Sequence, residues 1–366
     1  LQDSLRRFLA DRYTTRVRND IINSDAGFST NIWAQLAELG IIGALFCEEH
    51  GGYGGAGFDI AVVFEELGRA GVVEPFLDSA ILGGGLIAAL GTTDQQGLVQ
   101  QVMDGALHLG FAHGESGNWY DLAHVETTAV TQGNEITLKG RKAVVVNAEA
   151  SGYLITSARE HGEIGDEDGI SLFLIPIDTP GVSLRGYPLM AGGRAAEVEL
   201  DNVVLSASTR LGAAGAAYPA IAERVAAASV ALVAETLGAM ETATALTRDY
   251  LQTRQQFGRP IGSFQALQHR MADLLIELEQ ARSAVINASG HLGAEPQLRD
   301  LHISAARNLI GRVGRLVAEE TIQLHGGIAM TQEYELAHIA KRIVMAEHRF
   351  GDALYHLERF IDLSAA

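Results

Sequence analysis

The sequence predicts an α+β chain that is mainly α-helical and consists of a helical region, a β region and a second helical region. Apolar residues recur at helical spacing near the start and, over longer stretches rich in Ala and Leu, from residue 216 to 363. Between them lie short β-branched segments bounded by Gly, Asn or Asp. With 366 residues, 47% of them hydrophobic, the chain can bury a large core in two or three structural parts.

The first predicted domain covers residues 1–107 and is α-helical. Apolar residues follow helical spacing over residues 58–67 and 80–90, and glycine clusters separate these segments. The run of glycines at residues 51–55 is a turn signal. It lacks the Gly-Lys-Ser/Thr ending of a phosphate-binding loop, which argues against a nucleoside triphosphate site there.

The second predicted domain covers residues 108–212 and forms a β-barrel or sheet. Its candidate strands are short, rich in β-branched residues and bounded by turn residues. They are residues 127–130, 135–138, 143–146, 153–156, 171–176, 182–184 and 198–200.

The third predicted domain covers residues 213–366 and returns to helical periodicity. The first two helices are long enough to form the faces of a four-helix bundle. The predicted helices are residues 217–253, 263–292, 297–324, 332–346 and 350–363.

The composition restricts the class of protein. A net charge of −18 and a pI near 5.0 argue against nucleic acid as a partner, because most of the surface would repel phosphate. No run of about 18 uncharged apolar residues occurs, so we expect no membrane span. The single cysteine, Cys47, rules out an internal disulfide framework, and we also expect no metal site. These features are typical of a protein of the reducing cytoplasm.

The most informative segment is the Gly/Pro break at residues 254–262, which interrupts two long helical patterns. It carries Arg254 and Phe257, and the amides Gln265 and Gln268 follow it. A guanidinium can bridge phosphate oxygens, an aromatic ring can cover an apolar edge, and amides can bind sugar or ring atoms. The segment therefore suits a nucleotide-like ligand, although a solvated corner between two helices is an equally simple interpretation.

Three motifs together carry a resemblance to a known family. Residues 254–268 resemble the flavin-contacting turn Arg-x-x-Phe-Gly-x-x-Ile/Leu-x-x-x-Gln of the acyl-CoA dehydrogenases. Residues 323–329 resemble that family's Gln-x-x-Gly-Gly-x-Gly run, and residues 36–54 its N-terminal Leu-Gly…Pro-Glu-x-x-Gly-Gly-x-Gly segment. The resemblance implies an FAD cofactor whose adenosine diphosphate half contacts six residues. These are Arg254, Phe257, Gln265, Gln323, Gly326 and Gly327.

The same resemblance implies a reaction and a base. The family removes two hydrogens from the Cα–Cβ bond of an acyl-CoA thioester, and an electron-transfer flavoprotein is the expected electron acceptor. The usual base, a Glu near the C-terminus, is replaced here by Gly351, and Asp352 beside it is a weaker candidate. A minority of the family has the base in a Glu-Arg pair at the start of the first bundle helix, which matches Glu223 and Arg224. Glu223 is therefore the predicted base and Arg224 a predicted substrate-binding residue.

Two segments depart from the family pattern on the side that faces the flavin ring. The family's Thr-Glu-Pro-x-Ala-Gly-Ser-Asp loop corresponds to residues 111–119, where the pattern is lost. Its Trp-Ile-Thr/Ser-Asn run corresponds to residues 144–147, where valines replace both the ring and the hydroxyl. A chain that keeps one half of a shared cofactor site is expected in a hetero-oligomer. It resembles the α2β2 acyl-CoA dehydrogenases of steroid degradation, which act on bulky steroid-derived CoA thioesters.

Two other functions remain open at the level of sequence. The chain could be a non-catalytic subunit that stabilises a catalytic paralogue and completes its FAD site, which the lost flavin-facing residues favour and Glu223 disfavours. It could also be another flavin oxidase or hydroxylase on the same fold, because a fold alone does not determine chemistry.

Overall fold

The computed structural model describes residues 1–365, and its helical, β and helical order confirms the predicted fold class. The α-helices are α1 Gln2–Arg12, α2 Thr15–Ile22, α3 Thr30–Glu38, α4 Gly57–Ala70, α5 Gly85–Leu90, α6 Thr93–Met103, α7 Tyr218–Thr253, α8 Gln265–His291, α9 Pro296–His325, α10 Glu335–Ala346 and α11 Ala353–Ala365. The strands are β1 Leu109–Ala112, β2 Thr128–Gln132, β3 Glu135–Val146, β4 Tyr153–Arg159, β5 Ile170–Pro176, β6 Val182–Pro188, β7 Arg194–Ser206, β8 Arg210–Leu211, β9 Gln255–Gln256 and β10 Arg259–Pro260.

The chain packs as two compact units, each made of separate stretches of sequence. Unit 1 contains Leu1–Asp20, Ala56–Val72 and Ser229–Ala366. Unit 2 contains Ile21–Gly55 and Val73–Ala228. Part of the N-terminal helical region thus groups with the C-terminal helices and part with the strands. The three-domain division at residues 107 and 212 stays a prediction.

Unit 2 is built on one sheet with the strand order β6-β7-β3-β2-β4-β5-β8, in which β1 pairs with β4 in parallel. Two segments predicted as separate strands, residues 135–138 and 143–146, are the two ends of β3. The pairing of β3 with β7 shifts register after Leu138 and again after Lys142, so β-bulges interrupt a single strand. The core of the sheet is apolar, and it includes Ile136, Leu138, Val145, Leu154, Phe173, Ile175, Ala196, Val198 and Leu200.

Unit 1 is helical, and apolar residues at helical spacing form its buried faces. On α8 the buried residues Leu274, Leu278, Ala281 and Val285 recur every three or four positions, as expected of a helix with one face in the core. Helices α4 and α7 approach backbone to backbone at Gly68 and Gly238. A side chain at either position would collide with the carbonyl of Glu235 or Glu65 on the other helix.

Candidate active site

The break after α7 folds as a small β-hairpin in unit 1. Strands β9 and β10 pair antiparallel, and Phe257 and Gly258 form the two-residue turn between them with φ of +54° and +76°. Both turn residues lie in the left-handed region, which is the requirement of a type I′ hairpin turn. This conformation is ordinary for Gly but costs about 1–2 kcal/mol for a residue with a side chain. The hairpin thus holds Phe257 at its tip despite an unfavourable backbone conformation.

The side chains of this hairpin point outward. Phe257 is 90% exposed, and its ring meets the ring of Phe264 edge-on at 6.2 Å. The guanidinium of Arg259 lies over the Phe264 ring, 4.1 Å from its centre. Arg254 is exposed and makes no ion pair with any residue from 1 to 365. Phe257 and Arg254 are both exposed on this hairpin, so a ligand or a partner can reach them.

The glycine pair lies at the end of α9. Gly326 ends the helix with φ of +70° and ψ of −148°, a conformation that favours Gly, and both Gly326 and Gly327 face open space. His325, just before them, is buried, and its ring stacks on Tyr250 in the last turn of α7 at 4.5 Å. This contact holds the end of α7 beside the end of α9. The hairpin and the glycine pair therefore occupy the same end of the helices of unit 1.

All six residues predicted to bind the adenosine diphosphate half of FAD are exposed and belong to unit 1. Gln265 begins α8 directly after the hairpin, and Gln323 lies in the last turn of α9. An unpaired guanidinium, an exposed ring and two glycines without side chains match what a phosphate and an apolar ring edge require. These residues fit that half of the cofactor.

Glu223 and Arg224 lie near the start of α7, in the part that belongs to unit 2. Their side chains form a direct ion pair, with 54% of the Glu223 side chain and 28% of the Arg224 side chain exposed. The stem of Arg224 packs against Gly85 of α5, where a side chain would collide with it. The Nε atom of Arg224 is buried without a hydrogen-bond partner in the described chain. Arg224 thus pairs with the Glu223 carboxylate and has one buried donor to which a further acceptor could bind.

The position that would carry the usual base cannot accept one. Gly351 has φ of +113°, and a side chain there would collide with the rings of Tyr355 and His356. Asp352, the weaker candidate, accepts a hydrogen bond from the backbone N–H of Tyr355 at 2.8 Å. It therefore caps the start of α11, a structural role that accounts for an Asp at this position.

We expect Gly351→Glu to destabilise the chain without supplying a base. The left-handed backbone and the two rings oppose any side chain, and strained positions of this kind cost about 1–3 kcal/mol. The melting temperature should fall by several degrees, whereas Gly293→Glu, at an unstrained glycine in open space of the same unit, should leave it nearly unchanged. Recovery of activity by Gly351→Glu in a Glu223→Gln background would contradict this interpretation.

One of the two segments that correspond to the family's flavin-facing residues, residues 144–146, forms the end of β3 in unit 2. Val144 is 55% exposed with φ of +54°, a rare conformation for a β-branched residue, and it occupies the second bulge of β3. Val145 is buried in the sheet core. Val145 is therefore an ordinary buried strand residue, whereas the backbone at Val144 is strained. No hydroxyl or aromatic ring is present at residues 144–146 to contact a flavin.

His113 and Glu115, in the first half of the segment at residues 111–119, are buried and belong to a polar network that the sequence did not reveal. Glu115 accepts hydrogen bonds from Lys142 Nζ at 2.5 Å and from Thr127 Oγ1 at 2.7 Å. Lys142 Nζ also donates to Ser157 Oγ at 3.0 Å, and that hydroxyl lies 2.9 Å from His113 Nδ1. All five of these side chains are buried, so the network joins the loop to strands β3 and β4 within unit 2.

Burial and charge set the protonation of this network. Burial lowers the pKa of Lys142 to about 8, against the opposing effect of the Glu115 carboxylate. Burial also acts to raise the pKa of Glu115, but the Lys142 ammonium and the hydrogen bonds from Lys142 and Thr127 outweigh it, and the pKa lies below its usual value. Lys142 and Glu115 therefore form an ion pair at neutral pH. Burial lowers the pKa of His113 to about 3, so its imidazole is neutral.

Comparison with known proteins gives three family models that match in succession. They are the acyl-CoA dehydrogenase N-terminal domain over residues 1–103, the middle domain over residues 110–203 and the C-terminal domain over residues 202–357. Among the residues from 1 to 365, no helix has the length and apolar character needed to cross a membrane.

Individual relatives agree with these models. Acyl-CoA dehydrogenase IpdE2 of Mycobacterium tuberculosis is 31% identical over 320 residues, which are 87% of this chain and 82% of that protein. A solved structure of a variant of the Tcur3481-Tcur3483 steroid ACAD is 30% identical with a TM-score of 0.88, covering 100% of this chain and 96% of that one. The ChsE4-ChsE5 complex from Mycobacterium tuberculosis shares the fold, with a TM-score of 0.89 and 23% identity, over 100% of this chain and 96% of that one.

Family models, relatives and fold all give the same assignment. The reaction of these proteins is that of an acyl-CoA dehydrogenase, and FAD is their cofactor. The exposed arginine, aromatic ring and glycine pair of unit 1 fit this cofactor, as described above. The chain therefore belongs to the acyl-CoA dehydrogenase family.

Proposed function

We propose that this chain catalyses the FAD-dependent α,β-dehydrogenation of a bulky, steroid-derived acyl-CoA as one subunit of a hetero-oligomer. One observation carries the proposal: the residues that fit the adenosine diphosphate half of FAD are present and exposed, whereas valines occupy residues 144–146, where the family has an aromatic ring and a hydroxyl. A paralogous acyl-CoA dehydrogenase subunit, in an α2β2 arrangement, would supply the ring-facing half. The chain's single free cysteine is compatible with a reducing cytoplasm, where we propose it acts.

The adenosine diphosphate half would be held by unit 1. Arg254 would pair with phosphate oxygens, because a guanidinium without a carboxylate partner retains its full donor capacity. Phe257 would lie against an apolar edge of the nucleotide or of a partner subunit. Its 90% exposure is unfavourable until such a group covers it. Gln265 and Gln323 would donate from their amides, and Gly326 and Gly327 would let the ligand approach the backbone.

The base would be Glu223. Its carboxylate would take the α-proton of the thioester as the Cα–H bond breaks. FAD, when bound, would supply the two-electron oxidant for the β-hydrogen and its electron pair. Because the α-proton is weakly acidic, the base must be held in position before the reaction begins. The ion pair with Arg224 provides that positioning. The buried Nε of Arg224 is also available to an acceptor on the substrate.

The substrate class and partners rest on the relatives. The Tcur3481-Tcur3483 steroid ACAD is named for a steroid substrate class and for two different chains, and it is similar to this chain over its full length. The ChsE4-ChsE5 complex also pairs two chains. We extend both features to this chain. An electron-transfer flavoprotein would reoxidise the flavin, and one solved structure with the same fold comes from work on the electron transferring flavoprotein of Acidaminococcus fermentans.

A second function is favoured by the ring-facing positions. The strained, exposed Val144 and its neighbours Val145 and Val146 offer the flavin ring no hydroxyl and no aromatic cover, and the Glu115 side chain of the loop is buried in an ion pair with Lys142. A subunit with such a surface could serve only to stabilise a catalytic paralogue and complete its FAD site. In that case Glu223 would have no role in catalysis.

The experiment that tests the proposal is the ratio of flavin to chain, measured by absorbance. We expect little or no FAD on the chain purified alone, and about half an equivalent per chain in a stable complex formed by co-expression with the paralogue. Arg254→Met should lower the flavin content of that complex, since it removes a phosphate partner. Arg248→Met, at an exposed arginine near the end of α7, six residues before Arg254, is the matched control and should leave the flavin content unchanged.

The outcomes separate the alternatives. One FAD on each chain purified alone would overturn the hetero-oligomer and make the chain a homomeric dehydrogenase. In the complex, bleaching of the flavin by a steroid-derived CoA thioester supports dehydrogenation. Oxidation of compounds without CoA, and no response to CoA thioesters, would instead indicate another flavin reaction on this fold.

A further inference from the structure

A single turn of unit 2 brings together three different metal-ligating side chains. The thiol of Cys47, a carboxylate oxygen of Glu49 and a ring nitrogen of His50 all lie within 4.8 Å of one another. Cys47 and Glu49 are exposed and His50 is half-buried, so an ion can reach them from solvent. None of the three belongs to the residues assigned above to FAD or to the acyl-CoA.

The backbone of this turn is held from both ends. The Cys47 carbonyl accepts hydrogen bonds from the N–H groups of His50 at 3.1 Å and Gly52 at 3.0 Å. Residues Glu48–His50 form a 3₁₀ turn that ends at Gly51, whose φ of +85° favours glycine. Beyond it the N–H of Gly54 donates to the Phe46 carbonyl at 2.9 Å. The three side chains therefore project from one ordered turn, and little backbone entropy would be lost when they bind an ion.

Rotation of the side chains can bring the three ligand atoms to the spacing found around a tetrahedral ion. Zinc bonds to thiolate, imidazole and carboxylate are about 2.0–2.3 Å long, so ligand atoms around one ion lie roughly 3.3–3.7 Å apart. Rotation of the exposed side chains is enough to close from 4.8 Å to that range. Three protein ligands also leave a fourth position for water, as in open zinc sites.

We propose that Cys47, Glu49 and His50 form a zinc site, with water as the fourth ligand. The thiol loses its proton to solvent as the S–Zn bond forms, and neutral His50 binds through a ring nitrogen. Thiolate and imidazole select zinc over magnesium or calcium, which prefer oxygen ligands. The sequence led us to expect no metal site, because one cysteine is too few for the usual cysteine frameworks. The mixed ligand set of this turn changes that expectation.

The test uses the fact that Cys47 is the chain's single cysteine. The full-length chain, stripped with a chelator, is dialysed against zinc, and the bound metal is measured by mass spectrometry. The rate at which an aromatic disulfide reagent modifies the thiol is then measured with zinc, with magnesium and without metal. We expect about one zinc per chain, and a slowing of the thiol reaction by at least about tenfold with zinc only.

Variants assign the ligands. Glu49→Gln and His50→Ala should each restore the fast thiol reaction in the presence of zinc, and Cys47→Ser should lose the bound ion. Glu48→Gln removes an exposed carboxylate of the same turn that is not in the group, and should behave as the unchanged chain. Zinc that binds without protecting the thiol, or protection that survives both Glu49→Gln and His50→Ala, would overturn the proposal. The affected side chains are at least partly exposed, so circular dichroism should show each variant folded.

Discussion

The Glu223→Gln chain, in complex with its partner subunit, will turn over its acyl-CoA substrate about 10²–10⁴ times more slowly than the unchanged complex. Glutamine has nearly the same size and can still pair with Arg224, but its amide cannot accept the α-proton. The loss should therefore be in kcat, with flavin content and substrate binding retained. Steady-state rates, flavin absorbance and anaerobic titration with the CoA thioester measure the three quantities separately.

Asp352→Asn is the matched control, because Asp352 is the other carboxylate considered as a base. It accepts a backbone hydrogen bond at the start of α11, and asparagine can replace it in that role. We expect kcat to change little. Full activity in Glu223→Gln would assign the base to another residue or to the partner, and would favour the non-catalytic role of this chain.

Lys142→Met will lower the free energy of unfolding of unit 2 by about 3–5 kcal/mol, the usual cost of leaving one charge of a buried pair without its partner. The Lys142 side chain is completely buried, and that of Glu115 is 5% exposed. Methionine fills similar space but leaves the Glu115 carboxylate without a cation. Both tryptophans of the chain, Trp33 and Trp119, belong to unit 2, so urea unfolding followed by fluorescence reports on it.

The double variant Glu115→Gln/Lys142→Met separates charge from packing. Glutamine removes the uncompensated charge and can still accept hydrogen bonds from the Thr127 backbone and hydroxyl. At least half of the lost stability should therefore return. A double variant that is as unstable as Lys142→Met would show that shape, and not charge, is responsible.

The effect of Lys142→Met should also depend on pH. The folded pKa of Glu115 lies below its usual value, so its contribution to stability is present above the unfolded pKa of about 4.5 and is lost as the pH falls through the folded pKa. In Lys142→Met the same carboxyl is buried without an ammonium, which favours its protonated form. The stability difference between the two chains should therefore shrink as the pH is lowered from 7 to 4. A constant difference over that range would contradict the assignment to Glu115.

Much of the fold could be predicted because its signals are local. The helix predicted at residues 217–253 is Tyr218–Thr253, and the one predicted at residues 297–324 is Pro296–His325. Helical periodicity over so many turns is hard to produce by chance. Short elements were less predictable. Strand β1 was missed, since its four residues are all buried and show no alternation, and β9 and β10 have two residues each.

Site residues that belong to contiguous motifs could be predicted, whereas contacts that depend on the folded backbone could not. The motifs that contain Arg254, Gly326 and Glu223 are contiguous in the sequence, so their residues could be selected directly. The sequence does not show that Gly351 is enclosed by Tyr355 and His356, because that depends on the left-handed backbone at residue 351. The assignment of Arg254 and Gly326 to FAD binding and of Glu223 to catalysis stays a prediction until the variants are measured.

The sequence by itself determined the order of helical and β regions, the positions of the family motifs and the family itself, because periodicity and contiguous motifs are properties of neighbouring residues. Only the tertiary structure decided that Lys142 and Glu115 pair inside the sheet, since charged residues carry no local sign that they will be buried together. It also decided that His325 and Tyr250 join the ends of two helices and that Cys47, Glu49 and His50 converge. Such contacts depend on the course of the backbone and on side-chain packing, which no short stretch of sequence encodes.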